Sequence, residues 1–153
     1  MRLLILHVDR FAYTVTEAAR SRLREPVAEA SYEIVEGLVA LASVERVDEA
    51  EPARVARLAA AELEGLARQL GVERLVLHPF AHLFGELAAP AVAVQVLDAT
   101  ATHLAAAGLA VHRSPFGWFT RWDLQAKGHP LSRVGRVVRA APPTGAAAEH
   151  EPP

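Results

Sequence analysis

No cysteine occurs in the 153 residues, which removes disulfides and thiolate chemistry and suits a cytoplasmic chain. No run approaches the ~18 unbroken apolar residues that a membrane helix needs. The opening Met1-Arg2-Leu3-Leu4-Ile5-Leu6 is too short for the apolar part of a secretion signal, and His7-Val8-Asp9-Arg10 follows it at once. No GxGxxG, GxxxxGK[ST] or GxSxG pattern is present, so a phosphate-cradling loop and a hydrolase elbow both lack support. There is no internal repeat. Net charge is also small, at −2.

That small total hides an asymmetry. Between Leu109 and Arg139, six basic residues (Arg113, Arg121, Lys127, Arg133, Arg136, Arg139) face Asp123 alone, giving +5 there and −7 elsewhere. A basic final third on an acidic body can meet a polyanion at one face, which makes Arg121, Lys127 and Arg136 candidates for contacts with a nucleic-acid backbone. The same charges equally suit a solvated strand surface. An apolar fraction of 52% with 22% charged residues fits one globular domain with a full core.

Leu3–Val8 is a nearly continuous apolar run, as in a central strand. Phe11, Tyr13 and Val15 alternate with Ala12, Thr14 and Thr16, which predicts a second strand directly after it. Glu17–Ala30 reads as a polar connection holding at most one helical turn. Gly37–Val44 is another apolar strand. Glu51–Leu70 is the clearest helix, with Pro52 in its first turn, Gly71 just past its end and a stripe of Val55, Leu58, Ala59, Leu63, Leu66 and Leu70. A strand over Val72–Leu77, a helix from Pro90 to about Ala107 and a strand over Leu109–Arg113 follow. In 118–127, Trp118, Thr120, Trp122, Leu124 and Ala126 share one face, opposite Phe119, Arg121, Asp123, Gln125 and Lys127. Leu131–Arg139 is a last strand, and 140–153 reads as a Pro-, Ala- and Glu-rich tail or linker stub. Adjacent strands at both ends with two helix-joined strands between them predict an α+β fold, a mixed sheet with packed helices.

Three proline- or glycine-bearing turns end or begin these strands: His78-Pro79-Phe80-Ala81-His82-Leu83, Ser114-Pro115-Phe116-Gly117-Trp118 and Lys127-Gly128-His129-Pro130. Together they point to one pocket lined by rigid loops and rimmed by His82, His129, Phe116 and Trp118. Aromatics and prolines at a rim suit stacking on an unpaired base. The competing reading makes Phe116 and Trp118 caps of the core and the histidines satisfied loop residues. His78 and His82 are four apart, which suits a metal on a helix; Pro79 argues against a helix, and only Glu86 is near enough to complete a site, so no metal is expected. Ser114 has no base identifiable from spacing, which gives covalent catalysis no support.

These three turns, with the Leu-Leu-Ile-Leu-His-Val-Asp opening, resemble the N-terminal editing domain of archaeal-type threonyl-tRNA synthetases. The likeness runs from Met1 to about Val138 and is strongest over His78–Leu87, Pro115–Trp118 and Lys127–Leu131. It implies a fold like that of D-aminoacyl-tRNA deacylases, a homodimer, and hydrolysis of serine wrongly esterified to threonine tRNA, without a cofactor. By motif, Val44, Pro79, Ala81 and Phe116 line an adenosine pocket completed by Gly117, Trp118 and Phe119, and His82 stands beside the ester. Backbone groups and the ribose 2′-hydroxyl position the water in that family. Three positions depart from the family pattern. Thr120 occupies the catalytic place of a lysine, Arg133, a substrate-binding position by this likeness, stands where a glutamate is common, and Phe119 where a tyrosine is common. Arg121 falls on the face opposite Thr120 unless a bulge intervenes. These departures bear on rate and amino-acid selectivity more than on adenosine binding. The resemblance leaves two further readings, a non-catalytic module for the tRNA 3′ end and a D-aminoacyl-tRNA deacylase; a dimerisation domain is the blandest.

Overall fold

The computed structural model describes residues 1–83 and 85–141, so the tail from residue 142 onward lies outside the described residues. Strand β1 (Arg2–Ala18) pairs along its length with antiparallel β2 (Ser31–Ser43). A 3-10 turn (Arg46–Ala50) leads into α1 (Pro52–Leu70), then β3 (Arg74–Pro79), α2 (Pro90–Ala106), β4 (Ala110–Arg113), β5 (Trp118–Ala126) and β6 (Arg133–Val137). The strands form one sheet in the order β4-β3-β2-β1-β5, with β2, β3 and β4 parallel through the two helices. The free edge of β1 is shared: β6 takes Arg2–Leu6 and β5 takes Val8–Ala18. The α+β expectation holds.

The sequence predicts two strands in 3–15, whereas the structure has one. The cause is a parity switch. Leu3 and Ile5 point into the core beneath the helices, while Leu6, Val8, Phe11 and Tyr13 join a second core on the opposite face. Val8 and Phe11 are three apart and share a side because Asp9 is an extra residue against β5. Its partner strand switches at the same level. Leu38, Ala40 and Ala42 face the helices, whereas Val39, Leu41 and Ile34 face the second core, and Glu36 between them has a left-handed φ of 54°. The sheet therefore curls there, and β5 is carried over the end of β3. Strand β2 also starts six residues before the expected Gly37, and no helical turn forms in 17–30.

Helix α1 buries Val55, Ala59, Leu63 and Leu66 against the sheet and stops where Gly71 turns left-handed at φ 68°. Helix α2 buries Ala93, Val96, Leu97 and Leu104 beside it. The chain start is fixed by charge. The Met1 ammonium is fully buried and donates to Asp48 Oδ1 at 2.9 Å and to the Val138 carbonyl at 3.0 Å. Asp48 also accepts the Glu45 N–H at 2.8 Å, and Glu45 in turn receives Arg2 at 3.0 Å and Arg139 at 2.8 Å. This knot fastens the 3-10 turn to both ends of the sheet edge.

Candidate ligand pocket at the curled end of the sheet

The first turn leaves β3 at Pro79, which pairs with Ala42 and cannot extend the ladder as a donor. Phe80 N–H reaches back to the Ala42 carbonyl at 2.9 Å, and the Ser43 hydroxyl donates to the Phe80 carbonyl. Beyond it, the chain returns alongside Val44–Arg46, with Ala88 N–H on the Val44 carbonyl at 3.0 Å. The second turn enters β5 from the other side. Between the two lies a cavity of about 460 Å³. Val44, Pro79, Phe80, Ala81 and His82 line one wall, and Pro115–Thr120 with Trp122 line the other. Its size falls in the range of small-molecule sites, ~300–1,000 Å³. His78 and His82 are the ionisable side chains in the lining. A larger groove of about 570 Å³ runs between α1 and β6 past Glu62 and Arg136 and includes none of the turn residues.

The second wall is held from outside by the segment before β2. Glu25 receives both terminal nitrogens of Arg113, which also donates to Asp98 at 2.7 Å. The same carboxylate accepts the Phe116 N–H at 2.7 Å, and the Glu25 carbonyl accepts the Trp118 indole N–H at 2.8 Å. Burial alone would raise the Glu25 pKa, but Arg113 and the Phe116 amide outweigh it and hold the carboxyl below its ordinary range. Gly117 sits at φ 92°, and a Cβ there would come within 2.6 Å of the Leu23 carbonyl. Only glycine fits this corner.

The end of β3 carries a side chain that the spacing of histidines does not reveal. The His78 ring is buried, edge-on to Phe11, Tyr13 and Trp122. Its Nδ1 lies 2.8 Å from Ser114 Oγ and its Nε2 3.3 Å from Thr120 Oγ1. The Trp122 indole donates to that Thr120 oxygen at 2.7 Å. Burial, with the nearby His112 adding to it, pushes the His78 imidazole down from 6.5 to about 4. The folded ring is neutral at pH 7, while the unfolded chain takes up a proton as pH falls below about 6.5. Stability is therefore complete above that pH and declines toward pH 4. By roughly pH 4.5 the expected loss from this ring is about 2 to 3 kcal/mol. Burial lowers His7 and His112 too, in the same direction. Urea midpoints at pH 7 and about 4.5 check this, and His78→Asn should flatten the dependence.

Two of the three expected turns meet at the cavity; the third does not. His129 Nε2 is 2.8 Å from His7 Nδ1, in the short excursion between β5 and β6, and His129 does not line the cavity. Lys127 there binds Asp9 and Glu36, the two residues at the parity switch. Arg133 is exposed on β6 opposite Leu6 and also stays out of the lining. Arg121 is exposed opposite Thr14, on the face away from Thr120. The basic third is largely neutralised: Arg113 pairs with Glu25, Arg139 with Glu45, and Arg136 lies 3.5 Å from Glu62. Among the described residues, Arg121 and Arg133 form no ion pair. His82 is exposed at the mouth, its ring 5.2 Å from Phe80. The structure thus gathers Val44, Pro79, Ala81, His82, Phe116, Gly117, Trp118, Phe119 and Thr120, and adds Phe80, His78 and Trp122. Alternation already places Trp122 on the Thr120 face, which is the signal that marks it.

A curled mixed sheet with a mostly apolar, aromatic-walled pocket at one end defines a small α+β domain. The family model described as the archaea-specific editing domain of threonyl-tRNA synthetase matches residues 1–138, and the chain belongs to that family. It is 39% identical over 138 residues to a threonine–tRNA ligase of Methanopyrus kandleri, covering 90% of this chain and 22% of that protein. It is 40% identical over 140 residues to the ligase of Thermococcus gammatolerans, with the same coverage. The ligase of Methanosarcina mazei is 39% identical over 153 residues, covering 96% of this chain and 23% of its own length. The chain thus spans about a quarter or less of the length of the relatives it matches. No helix among the described residues is long and apolar enough to cross a membrane.

Proposed function

We propose that this domain hydrolyses the ester of serine mischarged onto threonine tRNA, with the tRNA's terminal adenosine seated between the two turns. The cavity carries this reading. Its lining has no lysine, arginine, aspartate or glutamate, so it suits a neutral base and ester. An attacking water there is placed by backbone groups and the ribose 2′-hydroxyl, through positioning and oriented dipoles. His82 lies at the mouth beside the ester, and Arg121 and Arg133, exposed outside it, meet the tRNA backbone. The domain acts as a homodimer, alone or beside a synthetase catalytic part.

Incubation with Ser-tRNA(Thr) should release serine well above the buffer rate and spare Thr-tRNA(Thr). Absence of acceleration with adenosine still bound would leave a non-catalytic tRNA-end module, and release from D-aminoacyl-tRNA alone would make it a deacylase of that class. His82→Ala should lower kcat/KM by about tenfold or more. His129→Ala, which touches His7 rather than the cavity, should leave it nearly unchanged. The reverse order would show that the ester sits elsewhere.

A further inference from the structure

We propose that Thr120 donates a hydrogen bond to the acyl group of the ligand, and that His78, braced by Ser114, is the positioning residue that makes it a donor. The inference rests on the cavity being an aminoacyl-adenosine site and assigns the group that tells acylated from free adenosine.

Thr120 has one proton and two lone pairs. The Trp122 indole, which can only donate, takes one lone pair at 2.7 Å. His78 Nε2 lies at 3.3 Å, and the neutral ring has a single N–H to place. With that proton on Nδ1, Thr120 would spend its own on Nε2 and show the cavity only a lone pair. With it on Nε2, ring and indole both donate to Thr120, whose proton then has only the cavity to go to. Ser114 decides between these states. Its hydroxyl is fully buried and must donate somewhere. Among the described residues its hydrogen-bond partner is His78 Nδ1 at 2.8 Å, while the Tyr13 hydroxyl lies 2.6 Å from His112 Nε2. Having that one partner, Ser114 donates to Nδ1, and the ring proton goes to Nε2. A buried ring that stays neutral orients Thr120 and takes no proton from it. The cavity thereby gains one uncharged donor, suited to an ester carbonyl.

The test uses the full chain and two probes: adenosine, and the non-hydrolysable amide 3′-serylamino-3′-deoxyadenosine. Calorimetry should show that the wild type prefers the amide. Thr120→Val and His78→Asn should each cut that preference, read as the ratio of the two affinities, about five- to tenfold. Thr120→Ser should keep it, and the double variant should be no worse than Thr120→Val. Nitrogen-15 shifts of His78 should report the Nε2–H tautomer. If His78→Asn does not fold, Ser114→Ala replaces it, with a partial loss expected. An Nδ1–H tautomer, an unchanged preference in Thr120→Val, or equal loss for both probes would overturn the proposal. A wild type that prefers the amide but leaves Ser-tRNA(Thr) intact would sink the hydrolytic reading and keep the donor. Hydrolysis with no effect of Thr120→Val on the preference would do the opposite.

Discussion

Glu25→Ala is expected to lower stability by about 3 kcal/mol and to weaken adenosine binding more than tenfold. Glu25 lies far from the cavity in sequence and is absent from its lining, yet it holds the second wall. Removing the carboxylate strands a guanidinium whose side chain is only 12% exposed and leaves the Phe116 amide without its acceptor. Breaking a buried pair typically costs ~3–5 kcal/mol; partial exposure of Glu25 and the remaining Asp98 contact reduce that, and the orphaned amide adds to it. Glu25→Gln keeps an acceptor for Phe116 and should fall between. Urea denaturation and adenosine titration give the two readouts. Lost stability with full binding would mean that the Pro115–Gly117 corner holds its shape unaided.

Asp48→Ala is expected to cost about 3 to 4 kcal/mol, or roughly a 10 °C drop in Tm. Burial outweighs the pull of Asp48 and holds the Met1 ammonium pKa below its ordinary value. The charged pair is therefore no gain over a neutral amine, but removing Asp48 takes away the 2.9 Å acceptor and leaves the buried amine facing only the Val138 carbonyl and Glu45 at 3.5 Å. The Glu45 N–H also loses its acceptor. Thermal melts at neutral pH measure the loss. A change below about 1 kcal/mol would show that Glu45 alone compensates the ammonium.

The helices were legible because their signals are local: proline in the first turn, glycine past the end of α1 and an apolar stripe between. Strand β1 was not, because a residue added at Asp9 reverses the period-2 pattern on which strand reading depends. The 19–30 segment carries little apolar pattern, and its order comes from a pair 88 residues apart, Glu25 with Arg113, which no window can see. Proline and glycine marked all three turns correctly as turns. Which end of the sheet each occupies is a separate matter. The second turn precedes β5 and the third follows it, and nine extended residues separate the two by about 30 Å. Strand length alone could have kept His129 and Lys127 away from the cavity. The motif residues of the first two turns are brought together by the same curl that the sequence pattern concealed.

That curl also restricts how the chain length can change. Asp9 and Glu36 lie at one level of the hairpin and shift both strands together, so their partners on either side stay in step. Deleting Asp9 alone would place Phe11 two residues after Val8, so Phe11 and Tyr13 would keep their side by plain alternation and Glu36 would remain as an unmatched extra residue in β2, whereas an insertion beside Asp9 would rotate Phe11 and Tyr13 outward into water and turn Ala12 inward. A shortened β1 would match β2 residue for residue only with a deletion at Glu36 as well, and Lys127 would then have neither carboxylate to grip. At this one level the number of residues is as tightly determined as the identity of a buried side chain.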